Sequence, residues 1–376
     1  MIGCPLVVAA MLVCFAVPVS AQPVGPWLGD LDFPTNMAFA PDGRLFFTEK
    51  ETGLVRVVDA GGTLRPEPFA TFAVRGGGET GLLGIALHPS FGQGEPWMYL
   101  YVSDPATGMN RLVRVRAEGD TAGEPEMLLE TVPATNAYHN GGDLLFGADG
   151  MLYVSVGEAH EPARAQDPSN LGGKVLRLTP EGEPAPGNPF GEGNAAFTLG
   201  HRNSFGLCLD PATGTIWETE NGPDRDDEVN RLEAGANYGW PVLTGAGGDG
   251  RYADPVSVFP RTVALTGCAW LAGTLYIGSF TDGGIRSLDP VTGSTDDVAR
   301  FDAGVTDLQA GPDGRLYVAT AEQIWRFTPG DDPAPGMVNG SLRPPDRDRG
   351  WIAVVAAAVL VLGLLWRVRA GRRLRS

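Results

Sequence analysis

"FAPDGRLFFTE", residues Phe39–Glu49, returns as "FGADGMLYVSVGE" at Phe146–Glu158 and as "AGPDGRLYVAT" at Ala310–Thr320. Each copy is an Asp-Gly turn followed by a run rich in β-branched and aromatic residues, the pattern of a tight hairpin. Weaker copies are "LHPSFGQGEPWMYLYVS" (Leu87–Ser103), "LDPATGTIWETE" (Leu209–Glu220) and "WLAGTLYIGS" (Trp270–Ser279). A second strand follows most of them: "GLVRVVD", "RLVRVRAEG", "KVLRLTPEG", "GIRSLDP" and "QIWRFTP". Six units, roughly 40 to 60 residues apart, each able to bury its faces only against its neighbours, predict an all-β, six-bladed β-propeller. Fifty-three glycines and 31 prolines against an ordinary apolar share of 43% agree with many turns joining short strands, and no long amphipathic helix competes for the core.

The ends read differently. Residues 1–21 carry no charged side chain, run apolar from Leu6 to Val19 and close on Val19-Ser20-Ala21 before Gln22, the form of an export signal. Residues 329–349 are polar and rich in Pro, Asp and Arg, a tether. Gly350–Trp366 is then uncharged for 17 residues, at the lower limit of a transmembrane helix. Arg367, Arg369, Arg372, Arg373 and Arg375 in the tail 367–376 place the C-terminus in the cytoplasm, with Trp351 and Trp366 at the interfaces. The expected protein is exported, with a periplasmic or extracellular propeller at 22–328 anchored in the cytoplasmic membrane; a processed sorting tail has the same sequence form.

Between the ends, residues 22–350 hold 23 Lys plus Arg against 45 Asp plus Glu, a net of −22. That surface argues against nucleic acid and anionic lipid, and for neutral or cationic ligands or bound calcium. Cys4 and Cys14 leave with the signal. Cys208 and Cys268 lie in apolar, strand-like contexts and are expected as buried thiols, a disulfide being the alternative in an oxidising compartment.

Of the four histidines, His88 in "ALHPSF" reads as structural and His160 in a polar loop as exposed. His139 opens "HNGGDLLFGADG" immediately before a blade's innermost strand, where an imidazole can face the central channel and act as general base on an alcohol. His201 precedes Arg202 and Asn203 in "GHRNSFG".

"GLLGIALHPSF", "HNGGDLLFGADGMLYVSVGE", "AQDPSNLGGKVLRLTPEG", "GHRNSFGLCLDPATGTIWETENGPDRDDEVN" and "GANYGWP" occur in an order and spacing that resembles the glucose/sorbosone dehydrogenase family over residues 28–328. The resemblance implies a dehydrogenase dependent on pyrroloquinoline quinone (PQQ) that oxidises the anomeric carbon of an aldose and passes electrons to an acceptor. It implies His139 as the base and Arg202, Asn203, Asn221 and Glu79 as cofactor-binding residues. It also implies that the carbonyls of Gly222 and Pro223 hold the cofactor's Ca2+, and that Asp227, Glu228 and the Tyr238 carbonyl hold a second one. Hard calcium takes carboxylate and carbonyl oxygens together. A homodimer is compatible with the resemblance.

This sequence also departs from the family pattern. Glu79 stands where the soluble glucose enzyme has Gln, and Tyr138 stands where it has an Asp beside the base, so Tyr138 is expected to orient His139. The family's cofactor-binding Lys is Thr281 here, and its Arg-x-Arg-Asp is Gly304-Val305-Thr306-Asp307. The chain's two lysines, Lys50 and Lys174, are remote from that segment in sequence. Each lost charged hydrogen bond costs roughly 1.5–3 kcal/mol. The alternatives are therefore a non-catalytic calcium-binding propeller that has lost the cofactor and a calcium-dependent lactonase-type hydrolase.

Overall fold

The structure, a computed structural model, describes residues 26–330. The expected signal peptide (1–21), most of the linker (329–349), the transmembrane helix (350–366) and the basic tail (367–376) lie outside those residues. Within them the six expected blades are present as six antiparallel sheets. Four sheets have four strands, blade 2 has five and blade 6 has three. The innermost strands are Pro34–Phe39, Leu82–Leu87, Gly141–Phe146, Ser204–Leu209, Leu265–Leu271 and Val305–Ala310. Each packs on the next around the axis, and the last packs on the first. One 3-10 turn, Pro162–Gln166, interrupts the strands.

The repeated turn works as its sequence requires. Gly43, Gly150 and Gly314 sit at φ of 87°, 74° and 75°, a region that costs glycine little. The aspartate before each glycine accepts the backbone N–H two residues on, at Arg44, Met151 and Arg315. In blades 3 and 6 the same aspartate also accepts the hydroxyl of Tyr153 or Tyr317.

Second strands such as Leu45–Glu49, Leu152–Val156 and Leu316–Thr320 are buried at every residue, because each lies between two neighbouring sheets. The apolar side chains accordingly form six clusters, one at each interface between blades.

Blade 6 is completed from the other end of the described chain. Trp27 and Leu28 donate to the Ile324 carbonyl, Ile324 N–H returns to Leu28, and Phe33 N–H reaches Ala321. This closure covers the free edge of a three-stranded sheet.

Cys208 and Cys268 form a disulfide, with Cα atoms 5.7 Å apart. This corrects the expectation of buried thiols. The two residues sit on the innermost strands of blades 4 and 5, so adjacent blades bring together positions 60 residues apart in sequence.

Candidate active site at the mouth of the channel

Every innermost strand shifts register within its first residues, between Pro34 and Asn36, Leu82 and Ile85, Gly141 and Leu144, Ser204 and Gly206, Leu265 and Cys268, and Val305 and Asp307. These bulges bend the strands at one end of the channel, and the loops that precede the second, third and fourth of them carry Glu79, His139, and Arg202 with Asn203.

His139 stands immediately before blade 3's innermost strand at φ 57° and is 7% exposed. Its Nδ1 lies 2.5 Å from Glu158 Oε1. The hairpin register accounts for the pairing: Gly141 is opposite Val156, so two residues further out His139 falls opposite Glu158. Gly157 must be glycine, since a Cβ there would lie 2.1 Å from the His139 carbonyl. Tyr138, expected to orient the base, instead meets His160 edge-on at 6.0 Å; the orienting carboxylate is Glu158. The sequence reading missed it, although the register of the repeated hairpin carried the signal.

Glu79 Oε2 accepts the backbone N–H of His139 at 2.6 Å and the Asn203 amide at 3.0 Å. Asn203 Oδ1 accepts Gly141 N–H, and Asn221 N–H donates to the Asn203 carbonyl. Arg202 donates through Nη1 to the Asn221 carbonyl at 3.0 Å and lies over the Trp240 ring. The structure thus brings His139, Glu79, Arg202, Asn203 and Asn221 into one hydrogen-bonded group.

Burial sets the charges of this group. It pushes Glu158 up to about 7, partly offset by Arg202, and raises Glu79 as well. His139 is held well below the ordinary histidine value by burial first, then by Arg202 and His160. A neutral imidazole whose Nδ1–H points at a carboxylate presents a free lone pair on Nε2.

Blade 4 repeats the pairing with the opposite result. His201 Nδ1 lies 3.1 Å from Glu220 and 2.9 Å from Glu218, and Nε2 meets Thr198 Oγ1. Burial opposes charge on this ring, yet the two carboxylates outweigh it and lift His201 to about 10. These three side chains could also surround a metal ion.

A narrow cavity is lined by Arg202, Glu220, Gly222, Glu228, Tyr238 and Trp240. Burial, then Glu220, raises Glu228 to about 8. Gly222 and Pro223 occupy a tight loop in which a Cβ on Gly222 would collide with the Arg225 carbonyl. Asp227 accepts the N–H groups of Gly222, Val263 and Ala264, so its carboxylate braces that loop.

Residues 31–326 match the family model described as Glucose / Sorbosone dehydrogenase. The chain belongs to the glucose/sorbosone dehydrogenase family. The aldose sugar dehydrogenase YliI of Escherichia coli K12 is 29% identical, the match covering 78% of this chain and 88% of that protein. Quinoprotein glucose dehydrogenase B of Acinetobacter calcoaceticus is 31% identical over 60% of this chain and 54% of its own length. The PQQ-bound aldose sugar dehydrogenase of Streptomyces coelicolor superposes with a TM-score of 0.73 at 30% identity, covering 81% of this chain and 96% of that one.

The donor set fits a quinone at one end. Asn140 Nδ2, Glu158 Oε2 and Asn221 Oδ1 are buried without a partner, beside the Arg202 guanidinium. In the Gly304–Asp307 segment, where the resemblance implies contacts to the cofactor's carboxylates, Thr306 donates to the Pro34 carbonyl, Asp307 accepts Met37 N–H, and Gly304 is covered by the Phe280 ring. Lys50, remote in sequence, lies 4.9 Å over Phe33, whose ring is 6.2 Å from Phe280. It is paired with Glu51 and the Gly78 carbonyl, while Arg286 and Arg300 pair with Asp282, next to Thr281.

Proposed function

We propose that this chain is a quinoprotein-type sugar dehydrogenase that oxidises the anomeric carbon of an aldose, its propeller exported and held at the membrane by the helix at 350–366. The His139–Glu158 pair beside Arg202 is the observation that carries the reading. Above its raised value of about 7, ionised Glu158 accepts the Nδ1 proton of His139 and fixes the tautomer, so Nε2 takes the proton of the sugar's anomeric hydroxyl. Arg202 attracts the negative charge that grows on oxygen during that transfer. Bound PQQ would supply the two-electron acceptor. Arg202, Asn203, Asn221 and Glu79 would hold its quinone end, with the carbonyls of Gly222 and Pro223 on its calcium. Glu228 and the Tyr238 carbonyl, with Asp227 behind them, would hold a second Ca2+.

The test is dye-coupled oxidation of an aldose panel with PQQ and Ca2+ in excess, so that a weakened carboxylate end is not mistaken for absent chemistry. His139→Ala should lower turnover by roughly 10²–10⁴, and Arg202→Ala should raise the PQQ concentration required. Tyr138→Phe should cost less than Glu158→Gln. A wild-type protein inert toward every aldose at saturating PQQ sinks the reading. The second reading, a calcium-binding propeller without catalysis, is favoured by the Phe280 ring over Gly304 and would then stand.

A further inference from the structure

We propose that His160 is a positioning residue for His139, a second imidazole whose flat face fixes the plane of the base and whose charge, when present, opposes that of its neighbour. The inference rests on His139 being the base of the proposed reaction.

The two rings are stacked with centroids 4.1 Å apart and planes 27° from parallel. His160 is exposed while His139 is 7% exposed, so the outer ring forms the solvent side of the base. With Glu158 on Nδ1 and His160 on one face, the edge of His139 bearing Nε2 is left to meet a substrate.

The backbone is arranged for this contact at a cost. Ala159 and His160 adopt φ of 50° and 60° in succession, a region that residues with a Cβ rarely enter. Strain of that kind persists only where surroundings enforce it. Here Ala159 is fully buried, its N–H donates to the His139 carbonyl, and its own carbonyl accepts the Asn136 amide. The turn carrying the second imidazole is thus tied to the residue that carries the first.

Charge follows the same geometry. Facing His139 are Glu158 at Nδ1, Glu79 at the backbone N–H, the Arg202 guanidinium and His160. Facing His160 are His139, the edge of Tyr138 and Arg202. Burial, then Arg202, pushes both imidazoles below the ordinary value, and a proton on either ring opposes a proton on the other. Removing His160 takes away one opposing charge and part of the burial, so both effects raise the value at which His139 protonates.

The test uses histidine ring NMR on the full, cofactor-free protein, titrated from acid to neutral pH, with His139 assigned by its loss in His139→Gln. His160→Ala should move the His139 midpoint upward by roughly half a pH unit or more. His160→Phe keeps a stacked ring without the charge and should move it less. In the same variants the acidic limb of the kcat/KM profile for aldose oxidation should shift upward in parallel. An unmoved His139 midpoint in both variants overturns the proposal. A shifted midpoint in a protein that oxidises no aldose keeps the pairing of the two imidazoles and removes the dehydrogenase reading instead.

Discussion

Two aspartates on the channel wall show how far one substitution in a repeat can shift local energetics. Asp143, next to the bulge of blade 3, accepts the Asn36 amide and the N–H groups of Leu144 and Leu207. Asp307, at the bulge of blade 6, accepts Met37 N–H. Burial lifts Asp143 to about 6; burial, then the neighbouring Asp143, lifts Asp307 well above the carboxylate range. A carboxyl whose folded value is raised favours the folded state below its unfolded value, and that contribution disappears as pH climbs through the folded value. For Asp143 the window runs from 3.8 to about 6, a loss of roughly 3 kcal/mol on completion. The stability of Asp143→Asn relative to wild type should therefore rise by up to that amount between pH 4 and 7 in urea denaturation. A difference independent of pH would show that Asp143 stays ionised throughout. At the same scale, Glu158 was legible from hairpin register, whereas the Lys50 approach to Phe33 and Phe280 was not, because it depends on how separate blades meet.

Among the strands, the bulges organise both the ring and the site. A bulge frees backbone groups that the sheet would otherwise pair, and hydroxyls from the preceding blade take up several of these carbonyls. Thr35 donates to Leu82, Ser155 to Ser204, Thr219 to Thr266, Thr266 to Val305, and Thr306 to Pro34. Each bond runs from one blade to the next, so the strand ends that position the loops are fixed from the side. Between blades 4 and 5 the Cys208–Cys268 disulfide adds a covalent tie across 60 residues. Closing a loop of that length restricts the unfolded chain by about 4 kcal/mol. Cys208→Ser with Cys268→Ser should lower unfolding free energy by a comparable amount, and reductant should reproduce the loss in wild type but not in the variant. Equal stability of both proteins would assign the linkage no structural role.

Across the whole molecule, the acidic surface and the cavity at Glu228 meet in one expectation. A cation that binds only the folded chain stabilises it by about 2.7 kcal/mol at a hundredfold excess over Kd. Chelation should lower Tm in wild type, and Glu228→Gln should remove that dependence; identical melting with and without chelator would make the cavity a site for water alone. Topology has its own measurement. No helix among the described residues is long and apolar enough to cross a membrane, and the segment 350–366 lies outside them, so protease added to spheroplasts should release the propeller while the arginine tail stays protected. A protected propeller with a digestible tail reverses the orientation. The sequence by itself determined the six-fold repeat, the hairpins and the strand faces, because Asp-Gly turns and apolar periodicity are local and act through the backbone of each unit. It also singled out His139, Arg202 and Asn203 as candidates from contiguous motifs, and the fold places them in one hydrogen-bonded group. Tertiary structure alone decided that two cysteines pair, that Trp27 and Leu28 close the ring, that His160 lies on His139, and that burial lowers His139 while two carboxylates raise His201. Those outcomes depend on burial and on neighbours supplied by other blades, and charge in a buried site is set by the groups that surround it rather than by position in the chain.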